Sequence, residues 1–357
     1  MILKNGKCFV NGQFIKTDIK VENGKIIEIS DGLTDDETVD CTNSVVIPGY
    51  VDIHTHGCNG IDFSTASSTE IISALNCYLE NGTTSLLATT VSMYKEDLDS
   101  AVDNINSVQN KSGAQILGIN LEGPFLSKNK LGSHDINTVC NPNIDFVKDL
   151  KNITEVCLAP ELEGADEFIQ SFDGLCSVAH TQCDYDTALN AFNKGANHIT
   201  HLFNAMNGLN HRNPGVVGAF CDSNAVAELI CDGVHVNESV LRMMFNLAAD
   251  RIAIISDSMA ACGMKDGNYK LGSLDVTVKN AVATLQDGTL AGSTTFVGEM
   301  VRRLISFGIE KEKVILSATK IPADSIGAYN KGRLKVGCDA DILICDDDFN
   351  IKKVYKS

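Results

Sequence analysis

Short apolar runs alternate with amphipathic segments through the middle of this 357-residue chain. Eight of the apolar runs have the length and composition of buried β-strands: residues 46–54, 85–91, 115–122, 155–160, 177–181, 198–203, 225–231 and 252–257. Helical periodicity marks residues 69–80, 95–109, 184–194, 238–250 and 295–307. Because strands and helices alternate eight times, the pattern predicts an α/β fold, namely a parallel (β/α)8 TIM barrel.

The two ends of the chain have a different pattern. Residues 1–44 contain alternating runs broken at Asn11-Gly12 and Asn23-Gly24, and Asn-Gly is a strong signal for a hairpin turn. Residues 332–344 have the same alternating character. We therefore expect a small β-sandwich domain built from both termini, residues 1–47 and 330–357, that carries no chemistry. The barrel would then span residues 48–329, and two unrelated terminal extensions are the alternative.

Composition restricts the partners of this chain. Its net charge of -17 disfavours nucleic acid, although a local basic pocket can still hold a small anion. No apolar run is long enough to span a bilayer, and residues 1–7 lack the features of a signal peptide, so we expect no membrane partner and a cytoplasmic location. The 13 cysteines include no CxxC pair, which indicates reduced thiols rather than a cysteine zinc site.

Histidines and carboxylates stand at the ends of the predicted strands. His54 and His56 are two residues apart, so on a strand both imidazoles point to the same face. Taken singly, each of these residues is explained by a hydrogen-bonded histidine or a helix-capping acid. Active sites of (β/α)8 barrels form at the carboxyl ends of the strands, so five strands ending this way favour one shared metal site. Its predicted ligands are His54, His56, Glu122, His180, His201 and Asp257.

Four histidines and two carboxylates suit a divalent transition metal: Zn²⁺, Fe²⁺, Mn²⁺ or Co²⁺. Such an ion lowers the pKa of bound water toward 7 and polarises a carbonyl oxygen, which predicts hydrolysis of an amide or similar bond. Asp257 is the natural proton shuttle between the water and the leaving amine. Cys58 lies close to the histidine pair along the chain and is a less favoured additional ligand.

Several motifs indicate a known family. Residues 48–57, PGYVDIHTHG, resemble the opening signature of the amidohydrolase superfamily. Within it the chain resembles the N-acetylglucosamine-6-phosphate deacetylase family, through motifs that follow the family's order over most of the barrel. These motifs are LEGPF at 121–125, AHT at 179–181, THLFNAM at 200–206, CDGVH at 231–235, SDSMAA at 256–261 and LAGS at 290–293.

The resemblance implies a reaction and a metal centre. The reaction is hydrolytic deacetylation of N-acetyl-D-glucosamine 6-phosphate to D-glucosamine 6-phosphate and acetate, in amino-sugar catabolism and recycling. One or two ions per subunit are implied; because the His-x-His pair is present, two are favoured. His54 and His56 would hold one ion, His180 and His201 the other, and Glu122 would bridge them. Asp257 is the implied catalytic acid and base.

The resemblance also implies a substrate site and a partner. His134 would polarise the acetyl carbonyl, and a homodimer is expected because a phosphate contact in the family can come from a second subunit. The other implied substrate contacts are Asn204, Ala205, Arg212 and His235 at the sugar phosphate and the turn Leu290, Ala291 and Gly292 at the acetyl group. A guanidinium can grip phosphate with two hydrogen bonds, which agrees with Arg212, although a solvated surface arginine is the alternative.

Three other functions stay open at this point. The same chemistry on N-acetylgalactosamine 6-phosphate is the nearest. A different amidohydrolase, such as a cyclic amidase, would not need a phosphate clamp. A non-enzymatic barrel that has lost its metal would be expected to have lost ligands, whereas every expected ligand position is filled.

Overall fold

A parallel eight-stranded barrel forms the centre of the computed structural model, which describes residues 1–109 and 112–357. Its strands pair in chain order, and we number them first to eighth: Tyr50–Thr55, Thr83–Thr90, Gln115–Phe125, Ile153–Leu158, Leu175–Val178, His198–Ile199, Val226–Ile230 and Ile252–Ile255. The first and eighth strands meet, where the Asp257 N–H donates to the His54 carbonyl at 2.9 Å. The predicted (β/α)8 barrel is confirmed.

Helices cover the outside of the barrel: Ser68–Glu80, Lys95–Asn106, Ile144–Val147, Ala165–Ser171, Tyr185–Lys194, Gly215–Cys221, Glu238–Ala248, Val297–Ser306, Lys311–Ala318 and Lys320–Ser325. The five predicted helices are among them, each within a few residues of its expected ends. Local capping explains several starts: Ser67 and Glu70 form a capping box, and Asp184 and Asn237 accept backbone N–H groups of the helices that follow them.

The predicted first strand, residues 46–54, is in fact two strands separated at Gly49. Val45–Pro48 belongs to a terminal sheet and pairs antiparallel with Ile342–Cys345, whereas Tyr50–Thr55 is the first barrel strand. A Cβ atom on Gly49 would lie 2.2 Å from Oγ1 of Thr84. Only glycine therefore fits where the chain bends out of one sheet and into the other.

Both termini contribute to one seven-stranded sheet: Ile2–Val10, Gln13–Glu22, Lys25–Ser30, Thr38–Asp40, Val45–Pro48, Ile342–Cys345 and Ile351–Tyr355. The Asn11-Gly12 turn has φ angles of 49° and 80°, as the type I′ hairpin requires, and Asn23-Gly24 repeats it. A terminal β domain is thus confirmed. Of the C-terminal alternating segment, however, only its last residues form a strand, because residues 332–341 run through turns.

A second small sheet was not predicted from the sequence. Gly267–Leu271, Leu274–Lys279 and Val282–Thr284 form an antiparallel meander, here called the cover sheet. Its buried side chains pack with Val91, Met259 and Ala291, above the end of the eighth barrel strand. In the part of the chain that the structure describes, no helix combines the length and apolar character needed to cross a membrane.

Candidate active site

The predicted ligands come together at the carboxyl ends of the barrel strands. His54 and Glu122 lie within the first and third strands. The fifth, sixth and eighth strands end before His180, His201 and Asp257, although the sequence pattern extended those strands to include them. At these three residues φ is 42°, 32° and 46°, a left-handed conformation that non-glycine residues rarely adopt. Such backbone strain is typical of functional sites, where it fixes the direction of a side chain.

Glu122 stands at the centre of the histidines. Its Oε1 lies 2.8 Å from Nε2 of His201 and 3.0 Å from Nε2 of His180, and its Oε2 lies 3.0 Å from Nε2 of His56. Asp257 Oδ1 is 3.3 Å from Nε2 of His56 and 3.7 Å from Nε2 of His54. The potential ligand atoms form two compact groups, His54 with His56 and Asp257, and Glu122 with His180 and His201.

These residues fit a divalent metal. The Nε2 atoms of His180 and His201 are only 3.1 Å apart, and both face the Glu122 carboxylate. Nε2 of His54 is fully buried and has no hydrogen-bond partner within residues 1–109 and 112–357. Burial alone would raise the pKa of Glu122, but the surrounding histidines, His134 and His54 foremost, hold it well below its usual value. An ionised carboxylate among imidazole lone pairs is a donor set for zinc or a similar ion.

His134 enters the same cavity from the loop after the third strand. Its Nδ1 accepts the backbone N–H of Ser92 at 3.1 Å, so the ring proton lies on Nε2, which is 3.2 Å from Oε2 of Glu122. Burial lowers the pKa of His134 to about 4, so its imidazole is neutral at pH 7. His134 is therefore placed to donate a hydrogen bond to a substrate oxygen.

A cavity of about 290 Å³ opens from the ligand groups toward the cover sheet. His235 lines its wall and is held by Asp232, whose Oδ2 lies 2.7 Å from Nδ1 of the ring. Although burial opposes it, this carboxylate raises the pKa of His235 and favours the cationic ring. Other predicted substrate contacts at the wall are Asn204, Ala205, Leu290 and Gly292.

Three residues singled out in the sequence lie elsewhere. Arg212 is exposed and lines a different surface depression, beside Asp184 and Tyr185. Ala291 is buried against the cover sheet, so only its neighbours Leu290 and Gly292 reach the cavity. Cys58 Sγ points to the Ala74 carbonyl, 3.5 Å away, and belongs to neither ligand group.

The sequence pattern missed residues that the structure brings to the site. Leu271 of the cover sheet and Thr289 line the cavity. Their region carries no histidine or strand-end carboxylate that would have marked it. Glu228 lies behind His54, with Oε2 3.1 Å from Nδ1 of the ring. The sequence could have pointed to Glu228, because it is the single charged residue in the apolar strand Val226–Ile230.

Comparison with known proteins agrees with this fold. The model of the amidohydrolase family matches residues 45–357, so the chain belongs to the amidohydrolase family. Within that family it belongs with the N-acetylglucosamine-6-phosphate deacetylases. The Bacillus subtilis enzyme of that name is 35% identical over 326 residues, covering 87% of this chain and 82% of the relative. The Caenorhabditis elegans one is 33% identical, covering 98% and 92%.

Solved structures give the same grouping. N-acetylglucosamine-6-phosphate deacetylase from Pasteurella multocida superposes with a TM-score of 0.95 at 27% identity, covering 99% of this chain and 97% of the other. A mutant of the Mycobacterium smegmatis enzyme, in complex with N-acetyl-D-glucosamine-6-phosphate, superposes with a TM-score of 0.93 at 28% identity, covering 100% and 97%. The prediction of a hydrolase, made from the residues at the strand ends, is thus confirmed by membership of the amidohydrolase family.

Proposed function

We propose that this protein hydrolyses N-acetyl-D-glucosamine 6-phosphate to D-glucosamine 6-phosphate and acetate. The observation that carries the proposal is the convergence of Asp257, His134 and both ligand groups on one cavity. Its relatives named for this activity support the choice of substrate. The chemistry is assigned to the barrel, residues 48–329, and the terminal sheet has a structural role.

The metal centre is proposed to hold up to two divalent ions, zinc, iron, manganese or cobalt. His54, His56 and Asp257 would hold one ion and His180 and His201 the other. Glu122 contacts histidines of both groups, which suits a bridging ligand. When bound, such an ion supplies Lewis acidity: it lowers the pKa of water and polarises a carbonyl.

Two side chains of the cavity act on the acetamido group. The Nε2–H of His134 donates to the carbonyl oxygen and stabilises the negative charge that develops there as water attacks. Asp257 accepts the proton of the attacking water and delivers it to the leaving nitrogen. Hydrogen bonding to His56 opposes the effect of burial and lowers the pKa of Asp257, so the base is ionised before the attack.

The phosphate is assigned to the far end of the cavity. His235 offers a cationic ring there, and Asn204 and Ala205 offer polar contacts along the wall. Arg212 lies outside the cavity of its own chain, with its backbone N–H bonded to Oδ1 of Asn210 at 3.0 Å. We assign it to the phosphate of a second subunit's substrate, in a homodimer.

The test is acetate release from N-acetylglucosamine 6-phosphate, with metal content measured on the same sample. We expect release in proportion to bound metal, and a strong preference over unphosphorylated N-acetylglucosamine. Metal-loaded protein that releases no acetate would overturn the function. Equal rates on the two sugars would remove His235 and Arg212 as phosphate contacts, and a higher rate on N-acetylgalactosamine 6-phosphate would reassign the substrate.

A further inference from the structure

A buried acidic cluster lies inside the barrel, beneath the metal ligands. Glu228 of the seventh strand, Glu155 of the fourth and His198 of the sixth are each no more than 1% exposed, and their potential ligand atoms lie within 4.8 Å of one another. The proposed reaction uses none of the three. Of these residues, Glu228 touches the ligand groups: its Oε2 is 3.1 Å from Nδ1 of His54 and 3.4 Å from the backbone N of His201.

The contact between Glu228 and His54 determines which ring nitrogen is free. When Glu228 is ionised, its carboxylate can only accept a hydrogen bond, and Nδ1 of His54 is then the protonated nitrogen. The lone pair is then on Nε2, which faces Glu122 at 3.6 Å and Asp257 at 3.7 Å. We infer that Glu228 is a positioning residue that holds His54 in the Nδ1–H tautomer and presents its Nε2 to a divalent metal. This inference rests on the proposed function.

The other ligand histidines are held differently. Nδ1 of His180 lies 2.8 Å from the carbonyl oxygen of Lys130, which is a neutral acceptor. Within residues 1–109 and 112–357, Nδ1 of His56 and of His201 has no hydrogen-bond partner. A carboxylate behind a metal-ligating imidazole fixes its orientation and increases its basicity, and removing such a partner typically lowers metal affinity by about 10–100-fold. His54 is therefore the ligand whose strength depends on a buried carboxylate.

Glu155 provides a matched control. It is as deeply buried as Glu228, and its Oε1 lies 3.2 Å from Nδ1 of His198, a residue in neither ligand group of the cavity. Glu155→Gln and Glu228→Gln each remove one buried carboxylate and keep its shape. Only Glu228→Gln changes the partner of a metal ligand, so the pair separates positioning of His54 from loss of a buried charge.

The experiment is a zinc titration of both variants and the wild type against a competing chelator. We expect Glu228→Gln to lose about 10–100-fold in zinc affinity and Glu155→Gln to lose less than about threefold. We also expect excess zinc to restore most of the turnover number of Glu228→Gln, because the catalytic residues are intact. Equal losses in the two variants, or an unchanged affinity in Glu228→Gln, would overturn the inference.

The tautomer of His54 can also be measured directly on the wild type, so this test does not depend on whether a variant folds. Long-range ¹H–¹⁵N correlation spectra of the zinc-loaded protein are expected to show His54 protonated at Nδ1 and coordinated through Nε2; the opposite tautomer would overturn the inference. A wild type that binds no zinc, iron, manganese or cobalt would remove the proposed function and this inference together. Tight metal binding by the wild type with no loss in Glu228→Gln would remove this inference alone.

Discussion

Single residues at this site have their chemical roles set by what lies behind them. His134 is neutral because burial lowers its pKa, and it is a donor through Nε2 because its Nδ1 accepts the Ser92 N–H. His235 is biased toward the cation because Asp232 lies against its Nδ1. Two histidines of one cavity thus have opposite charge preferences, one suited to a carbonyl and the other to a phosphate. Ser92 lies 42 residues from His134 in the chain, whereas Asp232 stands three residues before His235 in the same motif.

At the residue scale, Asp257→Asn tests the proton shuttle. An amide cannot accept the proton of the attacking water, so we expect turnover to fall by about 10²–10⁴-fold. The amide oxygen can still act as a ligand, so metal content should stay near that of the wild type. Turnover on N-acetylglucosamine 6-phosphate and metal analysis are measured on the same sample. Near-normal turnover would disprove the role of Asp257.

The loops and the cover sheet complete the cavity at the scale of elements. The segment that carries Leu290 and Gly292 returns from the cover sheet and bonds to the end of the eighth strand: the Ser293 N–H donates to the Asp257 carbonyl at 2.7 Å. The direction of the Asp257 side chain therefore depends on the tight approach of this loop. Glycine is required at position 292, where φ is 67° and a Cβ atom would lie 2.9 Å from the backbone carbonyl oxygen of Asp257.

Gly292→Ala and Gly288→Ala form a matched pair in this loop. Both residues have positive φ, but a Cβ atom on Gly288 would meet nothing within 4 Å. Each substitution has a backbone cost of about 1 kcal/mol. Only Gly292→Ala should also displace Asp257, so we expect kcat/KM to fall more than about tenfold in that variant and to change little in Gly288→Ala. Equal kcat/KM values would show that the loop does not position Asp257.

At the scale of the whole molecule, the terminal sheet is connected to the barrel where residues 341–345 lie against residues 45–49. Lys331 is buried there, with its ammonium 2.8 Å from both Asp339 Oδ2 and Asp341 Oδ2. The carbonyl of Asp341 accepts the N–H of Gly49, the bend between the two sheets, at 2.9 Å. A cation shared by the buried Asp341 and the partly buried Asp339 therefore holds the start of the strand Ile342–Cys345 beside Gly49, where the chain enters the barrel.

Removing this cation should destabilise the fold. Lys331→Met removes the ammonium shared by Asp339 and Asp341, which keep Lys25 and Lys356 as their remaining cations. We expect a loss of about 3 kcal/mol in the free energy of unfolding, the lower end for a broken buried ion pair. The control is Lys270→Met, which breaks the pair with Asp275; those side chains are 67% and 75% exposed, so about 0–1 kcal/mol is expected. Urea unfolding measures both, and similar losses would contradict the assigned role of Lys331.

The stability difference between the wild type and Lys331→Met should depend on pH. Burial alone would lower the pKa of Lys331, but Asp341 and Asp339 raise it. Burial alone would raise the pKa of Asp339, but Lys25 and Lys331 lower it. The lysine contribution is present below its unfolded pKa of about 10.4 and is lost above its higher folded value. The aspartate contribution is present above about pH 3.9 and is lost as pH falls through its lower folded pKa. The wild type and Lys331→Met should therefore converge in acid; an unchanged gap would contradict this.

The sequence by itself determined the barrel and the terminal hairpins and predicted the metal ligands, because each has a local signal: strand–helix alternation, Asn-Gly turns, and histidines or carboxylates that close apolar runs. Tertiary structure decided the rest. The split at Gly49 depends on the closeness of Thr84, and the role of Glu228 depends on His54, which lies 174 residues away in the chain. The left-handed turns at His180, His201 and Asp257 likewise ended strands that apolar pattern alone would continue. Periodicity along a chain reports which face a residue occupies, whereas the partner it meets is set by packing between distant segments.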